Sequence, residues 1–214
     1  KKLMIDSTVI VAALKDSAFC AEYDHDTATI AALFIPNTYD IYWNITVEKL
    51  MDRMKKENNR FWNDERNAKA KRMGLTQTEV CTLASIIDEE TANNGEKPMI
   101  AGMYYNRLKT DMPLQADPTI KFALKDFALR RIYHKQLMTD SPYNTYINTG
   151  LPPGPIKIAS IAGIDAVLNH VDHDYLYMCA KEDFSGTHNF AKTYEEHLRN
   201  AAKYTNALNE RGIR

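Results

Sequence analysis

The stretch TQTEVCTLASIIDEE, running from Thr76 to Glu90, decides the fold. Thr76 and Glu79 stand at the spacing of a capping box, in which hydroxyl and carboxylate satisfy each other's backbone N–H groups. Behind them Val80, Leu83, Ala84 and Ile87 recur at helical spacing and make one apolar stripe. The three acids that end this helix do not share an environment. At about 100° per residue, Glu90 falls between Leu83 and Ile86 on the edge of the stripe, Glu89 opposite it and Asp88 on the far flank. Glu90 is the acid aimed toward the core, where burial raises a carboxyl pKa and keeps the group protonated near neutral pH. A carboxylic acid in that setting suits proton donation to a leaving oxygen. The bland alternative is that all three acids decorate a helix end, against the macrodipole.

On either side of this helix the chain reads as more helices. Val47, Leu50, Met51 and Met54 start an amphipathic pattern that runs on through Phe61 and Trp62, with Gly74 as its C-terminal stop. The run Lys69-Ala70-Lys71-Arg72 is its solvated face. Pro98 opens a helix carrying Ile100, Met103, Tyr104 and Arg107, and Asp117-Pro118 opens another, with Asp117 as N-cap. Phe34 to Tyr39 is a bend, and the segments 141–146 and 150–155 are too rich in turn formers for helix interior. A small-residue helix spans about 159–169. Residues 175–180 and 187–190 pair as a hairpin across Gly186, and Thr193 caps a last helix. The class is α+β with helices dominant.

Composition narrows the function. The chain has 214 residues and a formal net charge of −1, so it lacks the strongly basic balance of a nucleic-acid binder. Its length fits one large domain or two small ones. No apolar run approaches the roughly 18–20 residues that cross a bilayer. Three cysteines, Cys20, Cys81 and Cys179, form no C-x-x-C pair, leave at least one thiol free and read as small core hydrophobes. The chain begins at Lys1 rather than Met, as an excised piece of a longer precursor would.

Two loops gather polar and aromatic groups: Gln115, Asp117 and Thr119 in one, Tyr143, Asn144 and Tyr146 in the other. Rings that stack on sugar faces beside groups that bond hydroxyls and amides suit a carbohydrate groove, although turn chemistry uses the same residues. His170, Asp172, His173 and Asp174 match no established zinc spacing and read as a solvated loop. His188 sits where a strand can aim it into a groove. No G-x-S-x-G, H-E-x-x-H, P-loop or G-x-G-x-x-G motif is present.

The segment Leu83 to Thr91 resembles the "ASI(V/I)-x-x-ET" signature of the MltG/YceG-like endolytic murein transglycosylases. The likeness continues in order through Tyr105-Asn106-Arg107-Leu108, Met112 to Thr119, Tyr143-Asn144-Thr145-Tyr146, Thr149 to Ile156 and His188-Asn189-Phe190. Phe34 to Tyr39 resembles the family's opening motif, so the likeness covers about residues 34–208. It implies cleavage of the MurNAc–GlcNAc bond inside nascent peptidoglycan strands, leaving 1,6-anhydro-MurNAc ends. The family's catalytic glutamate falls on Glu90. Many members carry Glu at the first acidic position, where this chain has Asp88, so the first acid is not expected to be required.

Further expectations come from the same resemblance. One carboxyl serves as acid and then base, with no cofactor and no metal. Gln115, Asp117, Thr119, Tyr143, Asn144, Thr145, Tyr146 and His188 line the glycan cleft, and Asn106 and Arg107 orient the site unless Arg107 merely pairs with a carboxylate. Residues 1–44 are read as the tail of a small LysM-like region and residues 45–214 as a helix-rich catalytic domain with a small hairpin. Partners are glycan strands and peptidoglycan synthases. The native protein is expected to hold a single-pass anchor in the inner (cytoplasmic) membrane and face the periplasm or cell exterior, this chain being a soluble fragment. Two rivals stand beside this reading: a catalytically silent peptidoglycan-binding module, and a hydrolytic muramidase using Asp88 or Asp117 as second carboxylate.

Overall fold

A computed structural model describes residues 3–129 and 132–212. Helices α1 (Ser7–Lys15) and α2 (Ser17–Ala21) lead into a short 3-10 turn at Ile30–Leu33 and then α3 (Val47–Phe61). Next come α4 (Asp64–Met73), α5 (Gln77–Glu90), α6 (Lys97–Lys109), α7 (Asp117–Leu124), α8 (His134–Leu137) and α9 (Ile161–Leu168). Strands β1 (Tyr177–Ala180) and β2 (His188–Ala191) pair antiparallel, Tyr177 opposite Ala191, and α10 (Tyr194–Glu210) follows. The hairpin turns through Gly186, whose φ of 74° suits a residue without Cβ.

Helix α5 is the centre of the molecule. Its capping box forms as the spacing predicts: Glu79 N–H donates to Thr76 Oγ1 at 3.2 Å and Thr76 N–H to Glu79 Oε2 at 2.7 Å. The one-sided stripe is a correction. Every residue from Val80 to Ile87 is buried, because α4, α6, α7, α9 and the 3-10 turn surround the helix. The two hydroxyls in that run are satisfied internally, Thr82 donating to Thr78 O at 2.8 Å and Ser85 to Thr82 O at 2.7 Å. Ser85 Oγ also accepts from Ile156 N at 3.0 Å, which ties the proline-rich segment along α5.

The long helix expected from Val47 to Gly74 is two helices. Trp62 leaves helical geometry (ψ 65°), and Asn63 caps α4 by accepting from Arg66 N at 3.0 Å. Arg66 then donates to Phe61 O and lies 4.0 Å from the Phe61 ring centre, so the corner is locked from both sides. Gly74 ends α4 in the left-handed conformation, as anticipated. A second cluster joins Cys20, Tyr23, Ile30 and Leu33 to Val47, Met51 and Met54, so residues on both sides of position 45 share it.

Close backbone approach sets the packing. A Cβ at Gly102 of α6 would lie 2.3 Å from Val171 O, and one at Gly163 of α9 would lie 2.7 Å from Asp88 Oδ1. Asp88, on the far flank of the stripe, is buried there. Its carboxylate takes Lys97 Nζ at 2.7 Å, Ser160 N at 2.6 Å and Ser160 Oγ at 2.8 Å, with the Asp88 side chain only 4% and that of Lys97 7% exposed. This buried pair pins the ends of α5, α6 and α9 together. Glu89 does lie outside, paired with Lys157 at 2.7 Å.

Candidate active site

A cleft of about 380 Å³ opens beside the C-terminal end of α5, with Glu90 at its floor. Its lining comes from two groups of segments: Gln115, Asp117 and Tyr146 around the start of α7, and Tyr177 to Ala180 and His188 of the two strands with Tyr194 and His197 of α10. Tyr104 and Arg107 of α6 line the cleft as well.

Glu90 is partly buried and receives a hydrogen bond from the Tyr104 hydroxyl on Oε1 at 2.6 Å. Burial pushes its pKa up to about 7, and the neighbouring Asp117 charge pushes the same way. The Tyr104 bond, His188 and Lys121 oppose that rise in part. Burial beside Glu90 also holds the Tyr104 phenol well above its ordinary pKa, so it remains a donor. The result is a carboxyl poised between acid and base near neutrality, with one oxygen oriented by a phenol.

The rim is shaped by its backbone. Gln115 has a φ of 51°, a left-handed conformation uncommon outside glycine. Three contacts hold it there: its N–H donates to Thr145 O at 3.0 Å, Ala116 N–H donates to Thr145 Oγ1 at 3.0 Å, and Arg107 donates to Leu114 O at 2.7 Å. The N-cap of α7 is Ala116, not Asp117, and makes no side-chain bond. Asp117 is thereby freed from capping, and its carboxylate accepts the Tyr146 hydroxyl at 2.5 Å. At the hairpin, Glu96 takes His188 N–H at 2.6 Å on one oxygen and approaches His188 Nδ1 at 3.1 Å with the other. The imidazole is thus oriented with Nε2 away from Glu96.

From residue 4 to residue 203 the sequence matches the YceG-like family. The chain belongs to that family. It is 38% identical over 169 residues to a Bacillus subtilis protein named endolytic murein transglycosylase, covering 78% of this chain and 45% of that protein. A Streptococcus pneumoniae protein of the same name is 34% identical over 176 residues, covering 80% and 32%. The chain therefore spans less than half the length of these relatives. A crystal structure of a YceG-like protein from Listeria monocytogenes superimposes with a TM-score of 0.77 at 30% identity, over 91% of this chain and 67% of that one. The helix-rich fold with a small antiparallel ribbon is that of the family.

Of the residues expected in this YceG-like cleft, Glu90, Arg107, Gln115, Asp117, Tyr146 and His188 line it. The others stand behind it. Thr119 and Thr145 are buried and bond each other through their hydroxyls at 2.9 Å. Asn144 is buried too, donating to Leu137 O and Thr139 O and accepting Tyr146 N–H at 2.9 Å, so it fixes the Tyr146 loop. Tyr143 packs on Phe122 with ring centres 4.6 Å apart. Asn106 donates to His173 O at 2.6 Å and Tyr175 O at 3.1 Å, tying α6 to the approach of β1. The Arg107 guanidinium is taken up by the carbonyls of Pro113, Leu114 and Leu176 rather than by a carboxylate.

The histidine-rich segment is more built than a solvated loop. His173 accepts Tyr175 N–H on Nδ1 and sets Nε2 2.9 Å from Met99 O, while His170 packs on Tyr105 with ring centres 4.8 Å apart. Asp172 stays exposed, and Asp174 pairs with Lys192 at 2.8 Å. Among the described residues no His, Cys, Asp and Glu group is arranged to hold a metal ion. Cys20 and Cys81 are buried as expected, whereas Cys179 is half-buried in the cleft lining. Sequence reasoning missed Tyr104 as a partner of Glu90, Glu96 as the holder of His188, and the Tyr177, Tyr194 and His197 side. Their local patterns are those of ordinary helix and strand residues, and only the fold brings them to the cleft.

Proposed function

We propose that this chain is the catalytic part of an endolytic peptidoglycan lytic transglycosylase, with Glu90 as its single acid and base. The observation that carries the reading is Glu90 itself: a carboxyl with its pKa raised to about 7, bonded by Tyr104 and lining a cleft rich in polar and aromatic groups. The names of its relatives support the murein substrate.

Protonated Glu90 gives its proton to the bridging oxygen as the bond from the MurNAc anomeric carbon to that oxygen breaks, releasing a GlcNAc hydroxyl. The carboxylate left behind removes the proton of the MurNAc 6-hydroxyl, whose oxygen closes on the anomeric carbon. That proton restores Glu90, and no water is consumed. A paired second carboxylate, which a glycosidase needs as nucleophile or to activate water, has no role here. Tyr104 keeps Oε1 fixed through both half-steps and favours the carboxylate in the second. Gln115, Asp117, Tyr146 and His188 supply hydrogen bonds to hydroxyl and acetamido groups.

A murein substrate places the chain outside the cytoplasmic membrane, so an anchor and work beside peptidoglycan synthases belong to the same reading. Among the described residues no helix is long and apolar enough to cross a membrane. The test is mass spectrometry of uncrosslinked glycan strands after incubation with the chain. Products lighter by one water than hydrolytic ones, with 1,6-anhydro ends, are expected. Reducing ends would refute the mechanism and turn attention to Asp117 as a partner acid. Binding with no cleavage by the chain or by a longer form of it would make this a silent binding module.

A further inference from the structure

The hairpin part of the cleft lining differs chemically from the part formed by Gln115, Asp117 and Tyr146. Three rings meet there: Tyr177 and His197 stack with centres 5.5 Å apart and planes at 27°, and Tyr194 lies 5.8 Å from Tyr177 and 6.0 Å from His197. Tyr177 is backed by the Arg107 guanidinium at 5.5 Å. Arg107 in turn is held by three carbonyls, so the guanidinium behind the Tyr177 ring is fixed in place.

His197 behaves as a ring rather than a cation. Burial and the nearby Arg107 charge lower its pKa, and its Nδ1 is shut from solvent with no hydrogen-bond partner among the described residues. Tyr194 is different. It is the first residue of α10, just after the capping Thr193, and leaves 59% of its surface exposed at the mouth of the cleft. Its ring is held against two others while more than half of the residue stays open to solvent, so these contacts brace the ring without covering it.

Resting on the reading of the cleft as a glycan site, we infer that Tyr194, braced by Tyr177 and His197, is a stacking plate for a pyranose ring of the strand next to the residue cleaved at Glu90. A β-1,4-linked amino sugar carries its polar substituents around its equator and presents C–H groups on both faces. One face lies on Tyr194, and the equatorial groups are left for the hydrogen-bonding rim of Gln115, Asp117 and Tyr146. The cleft then has a stacking side and a bonding side, which orients the strand. The plate is set apart from the reacting atoms, so it contributes the same binding before and during bond cleavage.

The test uses the full chain carrying Glu90→Gln, which binds without cutting, titrated with uncrosslinked glycan strands by calorimetry. Adding Tyr194→Ala is expected to weaken binding roughly tenfold, and Tyr194→Phe to leave it within about twofold, because the ring and not the hydroxyl makes the contact. In the cleaving chain Tyr194→Ala raises KM by a similar factor and leaves kcat unchanged, the signature of uniform binding. Tyr194 is exposed enough that its loss opens no core cavity. Unchanged affinity with Tyr194→Ala would overturn the plate and leave the Glu90 reading standing. No binding by the Glu90→Gln chain at all would overturn the glycan reading, and the plate with it.

Discussion

Replacing Glu90 by Gln should remove the chemistry and, at the same time, make the fold more stable at alkaline pH. Below about pH 4 the carboxyl is protonated in both folded and unfolded chains, so Glu and Gln carry the same charge. As pH rises past 4.5 the unfolded chain releases the proton while the folded chain keeps it up to about 7, and the fold loses stability through that window. Above 7 the loss is complete. From an ordinary 4.5 to about 7, at about 1.4 kcal/mol per pH unit, it comes to roughly 3 kcal/mol. Gln bears no charge to desolvate and its carbonyl can still accept the Tyr104 hydroxyl. Thermal unfolding of the Glu90→Gln and unchanged chains at pH 4.5 and pH 8 measures this directly. The Gln chain should gain roughly 6–12 °C over its parent at pH 8 and little at pH 4.5, given about 2–4 °C per kcal/mol for a chain of this size. Every other titrating group is common to both proteins and cancels. An equal difference at the two pH values would refute the claim that Glu90 is kept protonated by its surroundings.

Three further outcomes follow from the same geometry. Tyr104→Phe deletes the hydrogen bond that holds Glu90's pKa down, so the alkaline limb of kcat/KM, expected to fall through about pH 7, should move to higher pH; a limb that stays in place would mean Tyr104 does not tune the acid. Asp88→Asn should destabilise by about 3–5 kcal/mol, because it strands the buried Lys97 ammonium, and adding Lys97→Met should restore much of the loss; chemical denaturation of both variants decides it. Gly102→Ala should lower stability by about 1–3 kcal/mol, since its methyl group would stand 2.3 Å from a backbone carbonyl that cannot step aside; an unchanged denaturation midpoint would show that the 171–173 segment yields.

Short-range chemistry was legible from residues alone. The Thr76–Glu79 cap, the stop at Gly74, the turn at Gly186 and the Thr193 cap each depend on neighbours within a few positions, and each forms. The helical angle that put Glu90 toward the core needed nothing beyond periodicity, and in the structure Glu90 is the acid that faces the cleft. The break at Trp62–Asn63 was missed because an apolar pattern continues across it, although Asn63-Asp64-Glu65 carries the marks of a helix start.

The roles of the motif residues depend on where burial falls, and burial is a property of the whole chain. Thr119, Asn144 and Thr145 have the same polar chemistry as Gln115 and Tyr146, yet the first three are enclosed and spend their bonds on the scaffold. Asp88 looks solvent-facing on an isolated helix and becomes a buried ion pair only when α6 and α9 close over it. Glu96 finds His188 across 92 positions, and Tyr104 finds Glu90 across 14. The sequence by itself determined most of the helices, the Thr76 and Thr193 caps and the acid on the core edge, because those follow from contacts a turn apart. Only the tertiary structure decided which groups that acid meets and which side of the cleft each one lines, because burying a polar group requires a partner that local spacing does not supply.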